Sequence, residues 1–152
     1  MKAVIQRVSE SSVLVDNKVV GEIKQGLTVL LGVYQGDDER HADILAAKIA
    51  RLRIFSDEND KMNLSVTDVN GAVLVISQFT LCADLKKGNR PSFTPSAPPE
   101  RANELYEHFI ACLKSYGVEN ISTGVFAAKM QVNIVNEGPV TILMDSKTWL
   151  KD

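Results

Sequence analysis

Strand-like runs recur from one end of this chain to the other, and two longer stretches of different period interrupt them. That contrast restricts the fold more than any other feature. "AVIQRV" and "SSVLVDNKVVGEI" near the start read as strands. Asp16-Asn17 lies between two β-branched runs and predicts a tight hairpin. "LTVLLGVY" is continuously apolar and of strand length, which predicts a buried strand. "GAVLVISQFTL" is the most strand-like segment, and "VENISTGVF", "KMQVNIV" and "VTILMD" return to strand character near the end.

The two exceptions have a helical period. In "GDDERHADILAAKIARLRIF", Ile44, Leu45, Ile49 and Leu52 share one face, with acidic residues in the first turn. From about Pro99, Ala102, Leu105, Tyr106, Phe109, Ile110 and Leu113 recur at helical spacing, and Gly117 suits a stop. "SDENDKMN" reads as a polar turn. Residues 83–99, "ADLKKGNRPSFTPSAPP", form a loop long enough to suggest a function. The expected architecture is α+β: a mainly antiparallel curved sheet or β-barrel of roughly eight strands, with two main helices packed outside. With 152 residues and no linker, one domain spanning 1–152 is expected. A small barrel with part of one face left apolar would favour a homodimer.

A formal net charge of −2 argues against broad coating of nucleic acid but allows a local basic patch. No apolar run has the length of a membrane span, and "MKAVIQRVSE" turns polar too early for a signal peptide. Cys82 and Cys112 make neither a zinc motif nor a disulfide framework. A cytoplasmic protein with reduced thiols, bound to no membrane, is the expectation.

A conventional active site is hard to assemble. His41 and His108 are the only histidines, both in predicted helices among charged neighbours, and are expected at the surface. That leaves little for a Ser-His-Asp triad. No cluster of zinc ligands and no phosphate-binding glycine loop is present, so no metal or cofactor is expected.

Three short constellations remain. "SQFTL" puts Ser77, Gln78 and Thr80 at the end of the strongest strand; alternation would turn Ser77 and Phe79 to one side and Gln78 and Thr80 to the other. It is either a strand leaving the core or a site built of polar side chains and free backbone N–H groups. "KKGNRPSF" carries Lys86, Lys87 and Arg90 with an aromatic, as a phosphate-contacting loop or simply a solvated one. "NEGPVT" interrupts two strand patterns with a proline, which has no N–H for a ladder. It is an ordinary hairpin turn or a backbone feature held for a purpose.

Taken together, "IQRV", "SQFTL", "NRPSF" and "GPVT", in that order, resemble the D-aminoacyl-tRNA deacylase family over essentially the full length. The resemblance implies a homodimer with active sites at the interface. It also implies hydrolysis of the ester between a D-amino acid and the 3′-terminal adenosine of tRNA, as chiral proofreading in translation. Ser77, Gln78, Phe79 and Thr80 match the family's catalytic motif. Gly138 and Pro139 match a Gly-cisPro motif that enters the partner's site. Arg7 matches the arginine supporting it, and Met130 a methionine lining the pocket. Lys86, Lys87 and Arg90 become candidates for tRNA phosphates.

D- and L-aminoacyl groups carry the same side chains, so selectivity must come from filling the space that an L side chain needs. Backbone carbonyls suit that task, because no rotamer moves them. For hydrolysis two routes stand open. Thr80 is a nucleophile lacking an evident base, or the amides near Phe79 and Thr80 form an oxyanion hole while the tRNA 2′-hydroxyl assists water. A nucleic-acid-binding module without turnover and a general ester or thioester hydrolase are the rival readings.

Overall fold

The computed structural model describes residues 1–151. The element order is β1 (Lys2–Val15), β2 (Lys18–Ile23), β3 (Gly26–Gly32), α1 (Glu39–Ala50), β4 (Phe55–Ser56), β5 (Met62–Leu64), β6 (Ala72–Ser77), α2 (Pro99–Ser115), β7 (Asn120–Thr123) and β8 (Gln131–Asp145). Asp16 and Asn17 both have positive φ, 50° and 62°, as a two-residue turn that follows strand twist requires. The expected hairpin is therefore there, joining β1 to β2.

The main sheet runs β2-β1-β3-β6-β7, with β8 on the other side of β1. It is mixed: antiparallel pairing predominates, as expected, but two pairs are parallel. β1 is antiparallel to β2, β3 and β8, but β3–β6 and β6–β7 are parallel. The cause is connection length. A hairpin turn reverses the chain, whereas α1 and α2 carry it back across the sheet before the next strand begins. The sheet curls until its ends almost meet: Ser122 Oγ donates to the Glu22 carbonyl at 3.0 Å. A Cβ on Gly21 would lie 2.4 Å from the Thr123 carbonyl oxygen, so only glycine permits this approach.

Residues 27, 29 and 31 of β3 and 73 and 75 of β6 turn to the helical face, where they meet Leu45, Ile49, Leu105, Phe109 and Leu113. The opposite face holds a smaller cluster of Val8, Val13, Ile23, Leu74 and Ile76, with Met130, Val132 and Ile134 packed against it. Both helices thus cover one face, with the foreseen Leu45, Ile49, Ala102, Leu105, Tyr106, Phe109 and Leu113 buried there, whereas Ile44 is only half-buried. His41, however, is not a surface residue. It is 6% exposed, and its Nδ1 accepts the Asp38 N–H at 3.1 Å, closing the N-terminus of α1.

"NEGPVT" is not a turn. β8 passes through it as one strand. Gln6 pairs with Thr141 and Val8 with Asn136, so Glu137–Val140 stand opposite Arg7 alone. The extra residues bulge out of the ladder, and Pro139 sits where no ladder hydrogen bond is needed. No helix among the described residues is long and apolar enough to cross a membrane.

Candidate active site

β6 ends at Ser77, and Phe79–Cys82 turn into a short 3-10 helix. Strand alternation therefore stops before Phe79, contrary to the pattern expected from the sequence. Gln78 N–H still donates to the Leu31 carbonyl at 2.8 Å, then Leu81 N–H returns to the Gln78 carbonyl at 3.2 Å. Gly32 makes room for this turn: a Cβ there would lie 2.9 Å from Leu81 Cβ. The Phe79 and Thr80 amides open the turn, where its own ladder offers them no acceptor, and no side chain caps it. Gln78 Nε2 donates to Thr80 Oγ1 at 2.5 Å.

Phe79 is 55% exposed, and Phe93 meets it edge-on with ring centroids 5.0 Å apart. The loop between them is closed where Asp84 and Ser92 exchange backbone hydrogen bonds of 2.8 and 2.9 Å. Lys86, Lys87 and Arg90 lie exposed on that loop, so the chain brings these cations to the same end of the sheet as Ser77–Thr80. Lys2, which the motifs did not single out, belongs to this end too. It pairs with Gly32, and its Nζ lies 5.3 Å from the centre of the Tyr34 ring. Cys82 is buried, and desolvation pushes its thiol above the ordinary value, which suits packing rather than nucleophilic work.

The second group forms around the β8 bulge. The Gly138-Pro139 peptide is cis, and residues 135–139 are exposed. Arg7 Nε donates to the Glu137 carbonyl at 3.0 Å, and a second guanidinium nitrogen donates to the Ile54 carbonyl at 2.6 Å. Met130 lies elsewhere, against Gly124, where an added Cβ would come within 2.6 Å of its sulfur.

One chain does not bring the two groups together. Ser77 is level with Leu31 and Ala3, whereas the bulge faces Arg7. The offset is about 13 Å along the strands and about 14 Å across three strand spacings. A polar groove lined by Glu22, Lys24, Asn70, Glu119 and Ser122 opens at the far end of β6 and contains none of these residues. Among the described residues no group of three His, Cys, Asp or Glu is placed to hold a metal.

Residues 4–145 match the family model described as D-Tyr-tRNA(Tyr) deacylase. The chain belongs to that family. A D-aminoacyl-tRNA deacylase of Koribacter versatilis (strain Ellin345) is 60% identical over 147 residues, covering 97% of this chain and 98% of the relative. One from Thermotoga petrophila is 55% identical over 146 residues, 96% of this chain and 97% of the relative. These relatives are, by name, hydrolases of aminoacyl-tRNA. A solved structure described as "c-Myc DNA Unwinding Element Binding Protein" superposes with a TM-score of 0.90 at 42% identity, covering 95% of this chain and 98% of that one. Another, of a "probable eukaryotic D-amino acid tRNA deacylase", reaches a TM-score of 0.80 at 15% identity, over 94% and 97% of the two chains, and speaks to the fold alone. The nearly closed mixed sheet with two helices is thus a fold shared with a chain of only 15% identity.

Proposed function

We propose that this deacylase-family chain hydrolyses the ester of D-aminoacyl-tRNA as a homodimer, each site combining Ser77–Thr80 of one copy with Gly138-Pro139 of the other. The observation that carries this reading is the Arg7 bridge. It fixes an exposed stretch of main chain whose carbonyls do not depend on any rotamer. Such a stretch, placed beside a bound ester, fills the volume that an L side chain needs and leaves the D direction open.

The separation of the two groups within one chain supports a second copy. So does β8, a long strand paired on one side only, with Leu143 76% and Val135 47% exposed. An unpaired edge with apolar side chains is a ready interface.

For the chemical step, the amides of Phe79 and Thr80 receive the developing oxyanion. The Thr80 hydroxyl accepts a hydrogen bond from the Gln78 amide, and an amide cannot take its proton. His41 is tied into the start of α1. Thr80 therefore positions, and the 2′-hydroxyl of the terminal adenosine directs water to the carbonyl carbon. Lys86, Lys87 and Arg90 contact acceptor-end phosphates without reading sequence. Glycine has nothing to exclude, so mischarged glycyl-tRNA is cleaved too. The enzyme works in the cytoplasm, where it proofreads the chirality of charged tRNA.

The test is release of amino acid from D- and L-aminoacyl-tRNA side by side. Release from the D form alone supports the reading. Binding without release, or hydrolysis of small esters without tRNA, would reject it.

A further inference from the structure

We propose that the β4–β5 hairpin is the outer support of the Gly138-Pro139 filter, with Arg53 and Asn63 as positioning residues. This rests on the reading of that segment given above. Arg7 spans two backbone carbonyls, Glu137 in the bulge and Ile54 just before β4. A guanidinium is a planar, rigid fork, so holding one carbonyl fixes where it can hold the other. The position of Ile54 is then part of the filter's geometry.

The hairpin that follows Ile54 is too short to be stiff by backbone pairing alone. β4 has 2 residues and β5 has 3, with a register shift between Phe55 and Ser56. Side chains supply the rest. Arg53 Nε donates to the Asn63 carbonyl at 2.9 Å, and another Arg53 nitrogen donates to Asn63 Oδ1. Asn63 Nδ2 donates to Asp57 Oδ2 at 3.2 Å. Asp57 Oδ1 accepts the Asn59 and Lys61 amides at 2.9 and 3.0 Å. Asn63 is thus gripped at both ends of its amide, and Arg53 is the residue bonded directly to Ile54.

Inward, Ile54 and Phe55 are 5% and 3% exposed and anchor the hairpin in the core. Together these contacts run unbroken from Asp57 through Asn63, Arg53, the Ile54 carbonyl and Arg7 to the Glu137 carbonyl. Neither Arg53 nor Asn63 hydrogen-bonds to Ser77–Thr80 among the described residues, so their influence on the reaction passes through the filter.

The test compares kcat/KM for D- and L-aminoacyl-tRNA in the full chain carrying Arg53→Ala, Asn63→Ala or Arg7→Ala, at enzyme excess so that slow L hydrolysis is measurable. The L-to-D ratio should rise about fivefold in each of the first two, the effect of one positioning hydrogen bond. Arg53→Lys, which keeps a donor without the fork, should recover part of the discrimination. Combined with Arg7→Ala, neither change should add further leakage, because the connection is already cut. An unchanged ratio in Arg53→Ala and Asn63→Ala, beside a leaky Arg7→Ala, overturns this support role and leaves the filter standing. An unchanged ratio in Arg7→Ala overturns the filter reading and the support with it. Arg53 is exposed, and a ratio taken on one preparation cancels any loss of folded protein.

Discussion

Arg7 Nε reaches the Glu137 carbonyl at 3.0 Å across 130 positions of sequence. The contact turns an exposed bulge into a fixed surface. If that surface sorts D from L, Arg7→Ala should let it drift. Hydrolysis of L-aminoacyl-tRNA should then rise about tenfold relative to the D form, the effect of losing a charge-assisted hydrogen bond. Arg7→Lys should restore little, since it cannot hold both carbonyls. Single-turnover assays on both substrates measure it; a wild-type ratio in Arg7→Ala speaks against the role.

Gly138 has φ of +132°, and a Cβ there would lie 2.9 Å from Val140 and 3.1 Å from the Arg7 guanidinium. Gly138→Ala must therefore shift the bulge. The segment is exposed, so the melting temperature should fall by less than about 4 °C. Hydrolysis of D-aminoacyl-tRNA should drop roughly tenfold to a hundredfold, as a misplacement near 1 Å does. Unimpaired hydrolysis in this variant would remove Gly138 from the site.

The Gln78–Thr80 hydrogen bond bears on the nucleophile. Thr80→Ala should keep its single-turnover rate within about fivefold, whereas a 2′-deoxy terminal adenosine should slow wild-type hydrolysis by about a hundredfold. An inert Thr80→Ala, with full hydrolysis of the deoxy substrate, would instead make Thr80 the attacking group.

Replacing Lys86, Lys87 and Arg90 together with alanine should weaken tRNA binding at low salt. The slope of log affinity against log salt should become shallower by about 2 if all three meet phosphates. Fluorescence titration over a range of salt gives the slope. An unchanged slope assigns the loop no part in holding tRNA.

A fifth expectation concerns stability. Hydrogen bonds from Arg40 hold the Asp38 carboxyl well below the usual carboxylate range. A folded-state pKa depressed in this way stabilises above the unfolded value near 3.8, and that contribution is lost as pH falls through the folded value. Asp38→Asn keeps a capping oxygen but not the charge. It should melt about 2–4 °C lower than wild type at neutral pH, with the gap closing in strong acid. A gap independent of pH would assign the loss to the cap alone.

Local features of the fold were legible because local physics decides them. Asp16-Asn17 between two β-branched runs marks a turn, which the structure forms with positive φ at both residues, and helical spacing marks the faces of α1 and α2. Parallel pairing of β3 with β6 was not legible, since strand direction depends on where α1 returns the chain. The continuity of β8 was hidden by Pro139, because the rule that proline breaks a ladder is local and the bulge that accommodates it is set by β1. His41 looked solvent-exposed from its charged neighbours, yet those same neighbours cap the helix with it. The site residues stood out as motifs, but Ile54, Arg53 and Asn63 carry no motif at all. Their contacts with Arg7 and with each other are a property of the folded chain.

The central claim is that main chain, acting by exclusion, does the sorting. Hydrolysis of glycyl-, D-alanyl- and L-alanyl-tRNA by the wild-type protein, followed in parallel, tests it most directly. Cleavage of the glycyl and D-alanyl esters with the L-alanyl ester spared is the predicted result. Complete resistance of glycyl-tRNA at enzyme levels that clear the D form, or equal cleavage of the L form, would contradict it.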